Sequence, residues 1–156
     1  TGSPVTQDIT VSDGDVKLVQ DVDYTVSYEN NTQASTADKK AAVIIRGKGN
    51  YDSATQQRIE FSVEKISIAD AVVDGVEDSC EYTGSAITFD GISVSVSGRT
   101  LTAGTDYVIS YKNNKNVSTD SKKAEVVISA ADGSNYTGSV SVTFVITGVD
   151  ISDAVL

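Results

Sequence analysis

The chain has no histidine and a single cysteine, Cys80, and this narrows the chemistry open to it. Without imidazole it lacks the usual general base, the usual transition-metal ligand and the serine triads that depend on one. One thiol allows no intramolecular disulfide and no cysteine-pair metal site, and Cys80 has no histidine to activate it as a nucleophile. Carboxylate pairs of the glycosidase type remain, but these work in clefts that larger folds provide. No phosphate-binding glycine loop is present, and Gly47-Lys48-Gly49 reads as a turn. The sequence therefore predicts a protein that is not an enzyme, with no catalytic, cofactor-binding or metal-binding residues.

Binding chemistry is better supplied. Tyr51 and Tyr136 lie in turns before late apolar segments, and Tyr82 lies near the middle of the chain. Each could stack on a sugar ring, and these three are the candidate ligand-binding residues. For Tyr51 and Tyr136 the preferred reading is structural, as anchors that bond their hydroxyls to nearby backbone. Tyr24/Tyr28 and Tyr107/Tyr111 are spaced four apart, on one face of a strand, and read as core or half-buried cross-strand residues. Asp8, Asp13, Asp15, Asp21 and Asp23 cluster without the D-x-D-x-D-G spacing of a calcium loop. Asp23 and Asp106 are better explained as acceptors for local backbone N–H groups where a strand begins. Lys39-Lys40 and Lys122-Lys123 read as solvated charges at strand starts that discourage edge pairing.

The elements that hold these residues repeat. Asp23–Asn31 (DYTVSYENN) and Asp106–Asn114 (DYVISYKNN) agree at six of nine positions, with a spacing of 83. Ser35–Ile45 and Ser118–Ile128 agree at seven of eleven, and Ile68–Val73 (IADAVV) pairs with Ile151–Leu156 (ISDAVL). The apolar period is two, not 3.6: Val22–Tyr28, Ile92–Val96 and Val140–Ile146 alternate, as does Arg58–Val63, and Ala41–Ile45 and Glu125–Ser129 are β-branched runs. Ser12-Asp13-Gly14-Asp15 and Ser97-Gly98-Arg99 read as hairpin turns, while Asn30-Asn31 and Asn113-Asn114 suit positive φ. The expectation is all-β, with six or seven short strands in each of two modules. Residues 1–73 form the first module and 74–156 the second, with the boundary open anywhere within 65–83. Ile66–Val73 either closes the first module or opens the second.

The motif Tyr82-Thr83-Gly84, Leu101-Thr102, Gly104-Thr105-Asp106-Tyr107, Ser110-Tyr111, Asn113-Asn114, Asn135-Tyr136-Thr137-Gly138 and Phe144 resembles the immunoglobulin-like tandem repeats of secreted and wall-attached Gram-positive bacterial proteins. The first copy keeps Asp23-Tyr24, Ser27-Tyr28, Asn30-Asn31 and Gly47–Tyr51. It departs at Gln20-Asp21-Val22 and Asp52-Ser53. The resemblance implies two tandem immunoglobulin-like β-sandwich domains and a spacer role beside other modules. It implies no catalytic set.

Charge and hydropathy agree with a chain of that kind. A net charge of −10 and a pI near 4.3 argue against nucleic acid and anionic membranes as partners. No apolar run approaches the ~20 residues that span a bilayer. The expectation is an extracellular monomer, secreted or wall-attached, whose partners are flanking domains of the same polypeptide. The alternative is an adhesion or carbohydrate-binding module that recognises polysaccharide or host glycoprotein through Tyr51, Tyr82 or Tyr136.

Overall fold

A computed structural model describes residues 2–52 and 56–152. The chain is all-β with several sheets, and it divides into two compact units, Thr1–Lys65 and Ile66–Leu156. Among the described residues the one helical element is a single 3₁₀ turn, Gly49–Tyr51.

Unit 1 holds β1 (Ser12–Asp13), β2 (Val16–Lys17), β3 (Tyr24–Glu29), β4 (Ala41–Gly47) and β5 (Gln56–Phe61). β1 and β2 close a hairpin over Gly14-Asp15, with Gly14 at φ 56°. Positive φ at the first central residue alone is the type II′ arrangement, whose twist matches that of paired strands. β3, β4 and β5 form an antiparallel meander with Tyr28 opposite Val43 and Val43 opposite Ile59. The pleat sends Tyr24, Val26, Tyr28, Val43, Ile45 and Phe61 to one face, where Tyr28 and Phe61 meet edge to face at 6.4 Å. Ala42 and Ile44 point the other way, yet are buried. Arg58 lies opposite Ile44 on that face and forms ion pairs with Glu29 and Glu60. Gly47 is required by the turn that follows, since a Cβ there would sit 1.9 Å from the Tyr51 carbonyl oxygen.

Unit 2 holds β6 (Ile66–Ser67), β7 (Val72–Asp74), β8 (Ser79–Glu81), β9 (Ser93–Val96), β10 (Arg99–Thr100), β11 (Tyr107–Lys112), β12 (Ala124–Ala130), β13 (Tyr136–Thr137) and β14 (Ser139–Thr147). One sheet runs β10-β9-β7 and a second runs β11-β12-β14-β8, while β13 pairs with β6. β14 is antiparallel to β12 up to Phe144, then runs parallel to β8 over Val145–Thr147. Both sheets feed one core: Val94 from the first, Tyr107, Val126, Ile128, Phe144 and Ile146 from the second, with Ile68, Leu101 and Tyr136 from outside them. Phe89 closes on Phe144 edge to face at 4.9 Å. Two facing sheets around a shared apolar layer are consistent with a β-sandwich.

The strand count differs from the even six or seven expected of each copy: five in unit 1 and nine in unit 2 among the described residues. The reason is Ile66–Glu81. β6 pairs with β13, β7 with β9 and β8 with β14, so this stretch is built into unit 2. Ile66–Val73 thus opens the second unit, whereas a split at 73/74 would cut β7 in two. Its match at Ile151–Leu156 lies partly outside the described residues. Gly75 allows β7 to turn back: at φ 85°, a Cβ there would stand 2.8 Å from the Gly91 carbonyl oxygen.

Candidate functional site

The side chains shared by the two copies are hydrogen-bonded alike in both. Asp23 Oδ2 accepts from the Val19 N–H at 2.8 Å, and Asp106 Oδ2 from the Thr102 N–H at 2.8 Å. Asn30 Nδ2 donates to the Lys40 carbonyl at 3.2 Å, and Asn113 Nδ2 to that of Lys123 at 3.1 Å. Both asparagines sit at positive φ, 52° and 54°. Asn31 Nδ2 and Asn114 Nδ2 reach back to the carbonyls of Val5 and Ile87. Ser35 Oγ and Ser118 Oγ accept from the N–H of Val63 and Ile146, both at 2.9 Å. These bonds satisfy backbone groups that the loops would otherwise leave open. As expected from the sequence, the two aspartates serve local backbone.

The tyrosines divide between core and rim. Tyr24 and Tyr107 are buried, and Tyr107 donates to the Ile92 carbonyl at 3.4 Å. Tyr28 and Tyr111 are half-buried. The Tyr28 hydroxyl bonds the backbone of Gln7, and that of Tyr111 the backbone of Phe89. The hydroxyl-to-backbone anchor expected of Tyr51 and Tyr136 is therefore seen at Tyr28 and Tyr111. Of the three candidate ligand-binding residues, Tyr136 is only 2% exposed, Tyr51 is half-buried in the 3₁₀ turn, and Tyr82 is 38% exposed. Tyr51 belongs to unit 1 and the other two to unit 2, so the three are not assembled within one unit.

Sequence reasoning missed the concave places. In unit 1 a hollow of about 410 Å³ is lined by Asn30, Thr32, Gln33, Ala34 and Lys39. In unit 2 a hollow of about 200 Å³ lies on the matching loop, lined by Asn113, Asn114, Lys115, Asn116, Val117 and Lys122. Both follow the paired asparagines and end at a lysine, which is the sequence signal that could have located them. Between those fixed ends the linings differ: Thr32, Gln33 and Ala34 stand where unit 2 has Lys115, Asn116 and Val117. Such hollows offer amides and an ammonium to a polar ligand, but no aromatic platform.

Cys80 is half-buried on β8, with Sγ 3.6 Å from Glu77 Oε2. Burial, followed by the Glu77 charge and its hydrogen bond, pushes the thiol pKa up and so disfavours the nucleophilic thiolate. Hydrogen bonds to Glu60 and Glu29 hold the Arg58 guanidinium pKa above its ordinary value. Among the described residues, no three carboxylate or thiol groups converge on a point that could hold a metal ion. No helix there is long and apolar enough to cross a membrane. No protein family, curated protein or solved structure matches the chain.

Proposed function

We propose that this chain is a non-catalytic tandem pair of immunoglobulin-like modules from an extracellular bacterial surface or secreted protein. Its role is to space and present other modules of the same polypeptide. One observation carries the reading: most of the chemistry-bearing residues that recur in both copies are used to hold the fold. Asp23/Asp106, Asn30/Asn113, Asn31/Asn114, Tyr28/Tyr111 and Ser35/Ser118 all hold backbone groups. Between a shared asparagine and a shared lysine, by contrast, the matching hollows are lined by different residues. A repeated binding function would need the opposite pattern. Two folded units also give reach at a lower entropic cost than a flexible linker of equal span.

A second reading, carbohydrate binding, is favoured by the exposed ring of Tyr82 and by the amide-lined hollow of unit 1. A glycan array and a pull-down on insoluble polysaccharides separate the two. The spacer reading expects no retention above a denatured control. Retention that Tyr82→Ala or Lys39→Ala abolishes, with the fold intact, would replace it with an adhesion or carbohydrate-binding role.

A further inference from the structure

A third of the chain's cations stand in one loop and its flanks. Residues 112–123 hold four of the 12 lysines and arginines against a single acid, Asp120, in a chain of net charge −10. The matching residues 29–40 of unit 1 hold two lysines, Lys39 and Lys40, against two acids, Glu29 and Asp38. The stretch in unit 2 is therefore net positive and its counterpart neutral. The fold does not demand this charge. Unit 1 closes the same loop without it, with Asn30 and Asn31 bonding backbone carbonyls as Asn113 and Asn114 do.

Of the four lysines, Lys112 is paired with Glu125 at 3.3 Å. Lys115 and Lys122 line the hollow of about 200 Å³, and neither forms an ion pair among the described residues. The side-chain amides of Asn113 and Asn114 are taken up by backbone. Asn116, also in the lining, is exposed, and its side chain is the amide left open to a ligand. Val117, 49% exposed, adds an apolar wall. Unit 1 has Thr32, Gln33 and Ala34 at these three positions, so its hollow has one ammonium fewer and a smaller apolar side chain.

Two free ammonium groups, an open amide and an apolar wall suit a ligand with a charge, hydroxyls and a carbon face. A sugar acid has all three. We propose that the hollow of unit 2 binds a uronic acid residue of an acidic saccharide. Lys115 and Lys122 attract the carboxylate, Asn116 bonds a ring hydroxyl, and Val117 packs against the C–H face of the ring. An inorganic oxyanion would use the lysines and leave Asn116 and Val117 idle. The site belongs to one copy only, so it does not depend on the spacer role. Exposed ion pairs are weak, and the Kd for a single sugar residue is on the order of 1 mM. Binding of that strength is lost in the washes of an array or a pull-down, so this site and the spacer reading stand or fall separately.

An amide-detected NMR titration of the full chain tests this, with sodium glucuronate, methyl glucoside and sodium phosphate as ligands. Glucuronate should shift the amides of Lys115, Asn116 and Val117 saturably, and less so as salt is raised. Methyl glucoside, which has no carboxylate, should leave them in place. Lys115→Thr, which installs the residue that unit 1 carries, should raise the Kd roughly 2- to 5-fold. Lys115→Thr/Lys122→Ala should abolish the shifts while the rest of the spectrum stays unchanged. No saturable shift at tens of millimolar glucuronate overturns the proposal, as does a Kd that the double variant leaves unaltered. Phosphate that shifts the same amides as strongly as glucuronate also overturns it, since the hollow would then select charge alone.

Discussion

Asn113 shows how a repeated residue can be structural in two ways at once. Its backbone is left-handed at φ 54°, and its Nδ2 donates to the Lys123 carbonyl, tying the end of β11 to the start of β12. Glycine would keep the first property and lose the second; alanine would lose both. Asn113→Gly should therefore cost ~1 kcal/mol for the lost hydrogen bond, and Asn113→Ala ~1–2 kcal/mol more for the strained φ. Urea titrations of the two variants check this, and equal losses would show that the φ requirement is absent. The asparagine pairs were legible in the sequence because asparagine tolerates the left-handed backbone that turns a chain at the end of a strand. Tyr136 was not legible as a buried residue. Its neighbours in sequence are turn formers, and part of what covers it, β6, lies some 70 residues upstream. A ring in a polar loop reads as a loop anchor or an exposed platform, and only the strand beside it decides that it is core.

At the scale of the element, β4 and β12 are the same strand in two settings. Both are seven residues long, central in their sheets and flanked by antiparallel partners. Alternation and β-branching placed both from sequence, as well as β3, β11 and β14. The short strands β6, β7 and β8 were harder, because two or three residues carry no period. Only their pairing makes them strands, so the position of Ile66–Val73 stayed open until that pairing was seen. The difference in cover should be measurable along the matched pair. Ile128 is fully buried, so Ile128→Ala should cost ~2–5 kcal/mol, in the range for large-to-small core changes. Ile45 keeps contact with solvent, so Ile45→Ala should cost about half as much, because less apolar area returns to water. Chemical denaturation of the single variants, each scored on the unit that holds it, gives both values. Equal costs would mean that the partial exposure of Ile45 carries no energetic consequence.

For the whole molecule, the unequal cores predict unequal stabilities. Each unit is small, and small domains bury a low fraction of their surface, so a few half-exposed apolar positions weigh heavily. Unit 2 gathers ten buried residues into one apolar cluster, with the partly buried Phe89 packed against it on Phe144. In unit 1, Ile59 is 53% exposed and Phe61 half-buried, and some of the burial lies on the opposite face, at Ala42 and Ile44. Unfolding should therefore follow two transitions, with unit 1 melting first. Hydrogen exchange resolves the order directly. Amides of β4 should exchange through a lower-energy opening than those of β12, although the two strands have equal length and equal sheet position. A single cooperative transition, with β4 and β12 protected equally, would show that unit 1 gains its stability from something other than its own core. The same two-transition assay separates residue effects from element effects: Asn113 and Ile128 variants should move only the second step, and Ile45→Ala only the first.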